Sequence, residues 1–253
     1  MKKKGCWIFL SHSSKDIEKV RLIRNAFEEH GQNPLAFHLR CLNTDTEEGR
    51  IELDSLIKRE IDAREWFVFC ESEAASESYY VNIEKDYIKS TGKKMIWSID
   101  MSLSEGEIVK EVGKICKDIK VYISYSRMQS DIAIRLFNAL AEKDYDICIT
   151  NLDGSFDSSS FDSIRQNLYE IVNSGFFIAL LSDDYIKSEF CMSEFSEALR
   201  HKERLIVIEI DNNRVPDFFK DGQLYKMSSD PTEEEINIVV EYIGDCLRKS
   251  LNN

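Results

Sequence analysis

The sequence predicts an α/β protein built from two consecutive units, each a parallel sheet with helices on both faces. Short apolar runs of strand length alternate with segments whose apolar residues recur every three or four positions. Apolar strands separated by amphipathic helices are the pattern of a parallel sheet covered on both sides. The pattern also occurs twice. Ser11 in WIFLSHSS (Trp7–Ser14) and Ser124 in VYISYSR (Val121–Arg127) stand 113 residues apart, and Ser13/Ser126, Asn25/Asn138 and Ala26/Ala139 repeat that offset. Ser72/Ser182, Ser78/Ser188 and Glu84/Glu194 are 110 apart, and Asp100/Asp211 are 111 apart. A near-constant offset means two copies of one unit of roughly 115 residues, an ordinary small-domain size and far longer than a solenoid repeat. The units are assigned to residues 1–117 and 118–253.

In the first unit, WIFLS is a strand and DIEKVRLIRNAFEEHG a helix, with Val20, Ile23 and Phe27 on one face and Gly31 as its stop. PLAFHL is a second strand. ELDSLIKREIDAR is a helix on the spacing of Leu53, Leu56, Ile57 and Ile61. WFVFC is a third strand, YYVNIEKDYIKS a helix and MIWSID a fourth strand. The last helix, SEGEIVKEVGKICKDI, opens with a capping-box pattern, Ser104 and Glu107. The second unit repeats this order through VYISYS, DIAIRLFNALAEK, DICIT, FDSIRQNLYEIVNS, FFIALLS, FCMSEFSEALRH, LIVIEI and EEEINIVVEYIGDCL. The acidic run TDTEEGRIELD reads as a solvated helix entry.

Composition excludes several function classes. The formal net charge is −13, which argues against a protein that tracks phosphates with clustered Lys and Arg. No apolar run approaches the ~20 residues of a membrane span. The seven cysteines are widely spaced with no C-x-x-C pair, the usage of buried thiols in a reducing compartment, so a cytoplasmic location is expected. There is no G-x-S-x-G elbow, and no P-loop or G-x-G-x-x-G for a bound redox nucleotide. His12, His30, His38 and His201 lack metal-ligand spacing, and no metal is expected.

Ligands of open parallel sheets bind beyond the carboxyl ends of the strands. Ser11–Ser14, Ser72–Tyr80, Ser124–Arg127 and Ser182–Phe190 all fall there. Each unit thus sets one carboxylate, Glu84 or Glu194, at the start of a helix on that edge, near hydroxyls and an aromatic ring. A fixed anion of this kind suits departure of a base from a ribose, where positive charge grows on the sugar. Plainer readings exist. A glutamate in a first helical turn complements the helix dipole, and Ser11, Ser13, Ser124 and Ser126 can cap the first helices. Arg127 suits a pyrophosphate or is a surface charge. Tyr80 and Phe190 can be core residues.

Four blocks in one order, twice, carry a resemblance: IFLSHSSKD and SYYVNIE in the first half, VYISYSR and SEFCMSE in the second. Both halves resemble the Toll/interleukin-1 receptor (TIR) domain, bacterial type. The resemblance implies two flavodoxin-like TIR domains, each a roughly five-stranded parallel sheet. It implies an NAD glycohydrolase or ADP-ribosyl cyclase that cleaves the nicotinamide–ribose bond, in antiphage defence or signalling, with NAD as substrate and no cofactor. The family's essential glutamate falls on Glu84 and Glu194. Ser11, Ser13, Ser124, Ser126, Arg127, Tyr80 and Phe190 become substrate-binding candidates. Partners would be other TIR domains, with self-association, and neither nucleic acid nor membrane. Tyr80 and Phe190 replace the family's usual tryptophan. The loops after the second strands, CLNTDTEEGR and NLDGSFDSSSFDS, lack its proline. Of the two glutamates, Glu194 is favoured, because Arg127 follows its strand and Cys191 sits in the family's usual place. The other reading is a non-catalytic TIR adaptor, which has no need of either glutamate.

Overall fold

A computed structural model describes residues 5–36, 46–92, 94–149, 161–201, 204–210, 216–219 and 222–251. They form two compact units that divide between Cys116 and Lys117. The first holds strands β1 (Trp7–Ser11), β2 (Asn33–Ala36), β3 (Trp66–Glu71) and β4 (Met95–Asp100). Its helices are α1 (Ile17–Glu29), α2 (Glu47–Asp62), α3 (Glu73–Ser76), α4 (Tyr79–Thr91) and α5 (Glu105–Asp118), the last two residues of α5 falling with the second unit. All strand pairs are parallel, in the order β2-β1-β3-β4.

The second unit holds β5 (Lys120–Ser124), β6 (Asp146–Ile149), β7 (Phe176–Leu181), β8 (Arg204–Ile210) and β9 (Gln223–Met227). Its helices are α6 (Ser130–Glu142), α7 (Phe161–Val172), α8 (Asp183–Lys187), α9 (Glu189–Arg200) and α10 (Glu233–Leu251). Its parallel sheet runs β6-β5-β7-β8-β9, the 2-1-3-4-5 order of a doubly wound sheet. Registers agree between the units: Phe9 faces Phe67 where Tyr122 faces Phe177, and Trp7 faces Asn33 where Lys120 faces Asp146. The 113-residue offset is therefore a structural equivalence.

Alternation along the strands sorts side chains to two faces. In the second unit, Tyr122, Cys148, Phe177, Ala179, Leu181 and Val207 pack with Ile171 of α7 and Cys191, Phe195 and Ala198 of α9. In the first, Phe9, Phe67 and Phe69 pack with Leu53, Ile57 and Ile61 of α2 and Ile88 of α4. The inward residues of α2 recur at 3–4 spacing, as the sequence predicts. Gly31 ends α1 in the left-handed region at φ 78°. Glu107 accepts from the Ser104 backbone N–H at 2.9 Å, the reciprocal half of the capping box.

Three expectations are corrected. The first sheet has four strands among the described residues rather than about five. The second has the fifth, β9, which the sequence reading missed, because QLYKM alternates polar with apolar and makes no apolar run. The polar stretches after β3 and β7 fold into the short helices α3 and α8, with Ser72 and Ser182 as N-caps accepting from Ala75 and Tyr185 N–H groups at 2.9 and 3.1 Å.

Two glycines separate close approach from mere permissiveness. A Cβ on Gly175 would lie 2.7 Å from Asp118 Cα and 2.8 Å from the Lys117 carbonyl oxygen, both backbone. On Gly113, inside α5, it would meet only His30 Nε2 at 3.7 Å, an ordinary contact. Gly175→Ala is expected to cost about 1–3 kcal/mol in urea unfolding. Gly113→Ala is expected to add about 0.5–1 kcal/mol. Equal effects of the two would contradict the packing described.

Candidate functional site

The two glutamates are set the same way. Ser78 and Ser188 cap α4 and α9, accepting from the N–H groups of Val81 and Cys191 at 3.5 and 3.3 Å. A serine thus starts the helix, and the glutamate six residues later is the helix's sixth residue. This corrects the expectation of a glutamate at the helix start. At one and a half turns in, the carboxylate is past the reach of the N-terminal dipole, and the sixth position of a helix turns inward here. Glu84 is 8% exposed and Glu194 2%.

Each carboxylate meets the serine that ends its unit's first strand. Ser11 Oγ donates to Glu84 Oε2 at 2.5 Å, and Ser124 Oγ donates to Glu194 Oε2 at 2.6 Å. Tyr122 O–H adds a bond to Glu194 Oε1 at 2.5 Å, and the Asn167 amide one at 3.4 Å. The Tyr185 hydroxyl lies 2.9 Å from Ser124 Oγ. Burial pushes the Glu84 carboxyl up to about 7, with the Ser11 hydrogen bond pulling the other way. Burial likewise raises the Tyr185 hydroxyl, and pushes the Cys191 thiol up to about 11. Cys191 S–H donates to the Tyr125 carbonyl at 3.3 Å, so it is a neutral packing residue.

The other candidates divide. Ser13 caps the 3-10 turn Ser14–Asp16 through the Lys15 N–H at 3.3 Å. Ser126 donates to Gln129 Oε1, which also accepts from Ser182 at 3.0 Å. The first unit repeats that bond with an aspartate, Ser72 to Asp16 at 2.6 Å. Ser11 and Ser124 therefore bind the glutamates, and of the four serines Ser13 is the one whose side chain caps a helical turn, Ser126 standing at the N-cap position without that bond. Arg127 is exposed. Tyr80 packs on the first core and edge-to-face on Tyr79, with ring centroids 5.4 Å apart, and Phe190 is half-buried. The loops after β2 and β6, at 37–45 and 150–160, lie outside the described residues. A cleft of 790 Å³ opens at the same edge of the first sheet, lined by Asp16, Lys19, Ser72, Glu73, Lys85 and Asp100 among others. Glu84 does not line it.

Sequence reasoning missed Tyr122, Asn167, Tyr185 and Gln129. Tyr122 was legible only as the one place where VYIS carries a hydroxyl and IFLS does not. Among the described residues no group of three or more His, Cys, Asp and Glu could hold a metal ion. No helix there is long and apolar enough to cross a membrane.

Glu84 sets a sign for stability against pH. Its folded value, about 7, lies above its ordinary 4.5. Between these, the folded state keeps a proton that the unfolded state has lost. The contribution is therefore complete below about 4.5 and is lost as pH rises through 7, for a total of roughly 3 kcal/mol. Glu84→Gln should match the wild type in urea unfolding at pH 4.5 and exceed it at pH 8 by up to that amount. A constant difference at both pH values would show that Glu84 ionises freely in the fold.

The family model described as TIR domain matches residues 121–239, a span inside the second unit. No curated protein matches the chain. Among solved structures, the TIR domain of the Toll-related receptor TRR-2 from Hydra magnipapillata is 20% identical, covering 53% of this chain and 98% of its own, with a TM-score of 0.39. The CMP N-glycosidase BcmB of Clostridium botulinum is 15% identical, covering 49% of this chain and 98% of its own, with a TM-score of 0.35. The second unit is thus similar to the TIR domain, on a parallel α/β sheet that holds a buried Ser–Glu pair at the carboxyl end of its first strand.

Proposed function

We propose that the chain is a tandem TIR protein that cleaves the nicotinamide–ribose bond of NAD. One observation carries the reading: the serine ending the first strand and the glutamate on the facing helix are hydrogen-bonded in both units, at 2.5 and 2.6 Å. A carboxylate kept in a low-dielectric wall at the ligand edge of a sheet is costly, and such costs collect at functional sites. A purely adaptor role gives no reason to keep it twice.

The chemistry asks little else of the protein. Nicotinamide is bonded to ribose through a positively charged ring nitrogen. The C–N bond breaks with its electron pair going to nicotinamide, which departs neutral and needs no proton. The sugar carbon becomes oxocarbenium-like, and the glutamate stabilises that charge or grips the ribose hydroxyls. Water then adds to that carbon and sheds a proton to solvent, giving ADP-ribose, or a ring nitrogen of the same ligand's adenine adds and the adenine's 6-amino group releases the proton, giving a cyclised product. Glu194, in the unit with the family match, is the first choice for this role and Glu84 the second. Ser124, Ser126, Arg127 and Phe190 are the companion residues in that unit; Ser11, Ser13 and Tyr80 are those in the first.

The test is nicotinamide release from NAD by the purified full chain, with EDTA present. Glu194→Gln keeps the shape and loses the anion, and is expected to lower release by roughly 100-fold or more. Glu84→Gln is expected to do less. Where Glu84 contributes, the rate should rise with pH through about 7, and that limb should vanish in Glu84→Gln. Release unaffected by either substitution in folded protein would remove both glutamates from the chemistry. No release by concentrated wild type with NAD in excess would leave the adaptor role.

Self-association is part of the same reading. One small unit leaves its ligand edge open to water, and a neighbouring TIR domain would close it. Specific activity should climb with protein concentration. A flat value across a wide dilution series, with the chain monomeric throughout, would contradict this.

A further inference from the structure

The two Ser–Glu pairs differ in what surrounds them. Tyr122 and Phe9 occupy one register position in their sheets, facing Phe177 and Phe67. Asn167 and Ile57 are 110 residues apart, the separation that relates Glu194 to Glu84. Each lies four residues before a fully buried isoleucine, Ile171 or Ile61, on the helix packed against that sheet. In the second unit these two positions donate to the glutamate. Tyr122 O–H reaches Oε1 at 2.5 Å and the Asn167 amide reaches it at 3.4 Å, while Ser124 holds Oε2 at 2.6 Å. In the first unit the same positions carry a benzyl and a butyl group. There the donor to Glu84, among the described residues, is Ser11.

We propose that Tyr122 and Asn167 are positioning residues for Glu194: they lock its carboxylate in one orientation and favour its ionised form. Phe9 and Ile57, standing in their places, leave Glu84 with neither service. Donors on both oxygens oppose rotation of the carboxylate about its terminal torsion, which is otherwise broad. Hydrogen bonds to the charged form also favour that form. Among the described residues, the titratable groups at Glu194 include Tyr122 on β5, Tyr185 on α8 and Cys191 on α9. Tyr185 and Cys191 are held neutral by burial. Near Glu84, Lys58 and Asp62 of α2 engage Tyr87, and Lys85 pairs with Glu71 at 3.7 Å. The value of about 7 for Glu84 is what burial with a single donor produces.

The catalytic sense of the proposal rests on the function proposed above, but the positioning itself does not. The experiment is carboxyl 13C titration of the full chain labelled at glutamate, from pH 4 to 9. Glu84→Gln and Glu194→Gln identify the two signals. Tyr122→Phe deletes one oxygen and should move the Glu194 midpoint up by about one pH unit or more, a tenfold change in its acid constant. Grafting the donors into the first unit, Phe9→Tyr with Ile57→Asn, should move the Glu84 midpoint down by as much. An unmoved Glu194 midpoint in folded Tyr122→Phe overturns the proposal, and that variant decides the matter if the graft does not fold. Packing alone would leave both midpoints where they are. Nicotinamide release adds a second readout: kcat of Tyr122→Phe should fall about tenfold with KM unchanged, and its pH profile should shift upward. If the wild type releases none, the function reading fails while the carboxyl titration still judges the positioning.

Discussion

The structure is organised around a carboxylate buried against the end of a strand. Desolvating an ion is expensive, and it is tolerated only where donors meet it. Ser11 and Ser124 supply the first of those donors, and they can do so only if β1 and β5 end where they do. The same contact fixes the helices: α4 and α9 must start at Ser78 and Ser188 for a residue six positions later to face the sheet. A strand end, a helix start and a helix rotation are thus coupled through one hydrogen bond in each unit.

The duplication turns this into a controlled comparison. Backbone order, register and the Ser–Glu bond are common to both units, so differences at the glutamate trace to particular neighbours. Phe9 against Tyr122 and Ile57 against Asn167 are exchanges of apolar for polar groups of similar size. They leave the packing of the helices on the sheets intact. They change what the carboxylate feels: one unit surrounds it with donors, the other with hydrocarbon. The bond from Ser72 to Asp16 or from Ser182 to Gln129 varies the same way, a charged acceptor in one unit and a neutral one in the other. The fold therefore tolerates polar retuning at the ligand edge while its core, from Trp66 to Phe177, stays apolar.

Lys120, Asp146 and Glu170 are buried together at the amino ends of β5 and β6, and Lys120 bonds Glu170. That ion pair neutralises itself, and its lysine is held charged by its acidic neighbours against the cost of burial. In the first unit Trp7 and Asn33 take the places of Lys120 and Asp146. Glu194, at the carboxyl ends of the strands, meets the hydroxyls of Ser124 and Tyr122 and the amide of Asn167.

The sequence by itself determined the alternation of strands and helices, the duplication and the pairing of Glu84 with Glu194, because these follow from apolar periodicity and fixed offsets. It could not reveal β9, whose polar alternation marks an edge strand, nor α3 and α8, which look like loops until their serine caps are seen. It placed the glutamates at the right edge but at the wrong depth. Whether a residue in an amphipathic helix turns toward solvent or toward the sheet depends on where the helix begins, and Ser78 and Ser188 decide that in three dimensions. The donors on Glu194 come from β5 and α7, 72 and 27 residues away in the chain. Local pattern carries no record of such distant contacts, so only the tertiary structure decided that Tyr122 and Asn167 join Ser124 at Glu194, where Ser11 meets Glu84.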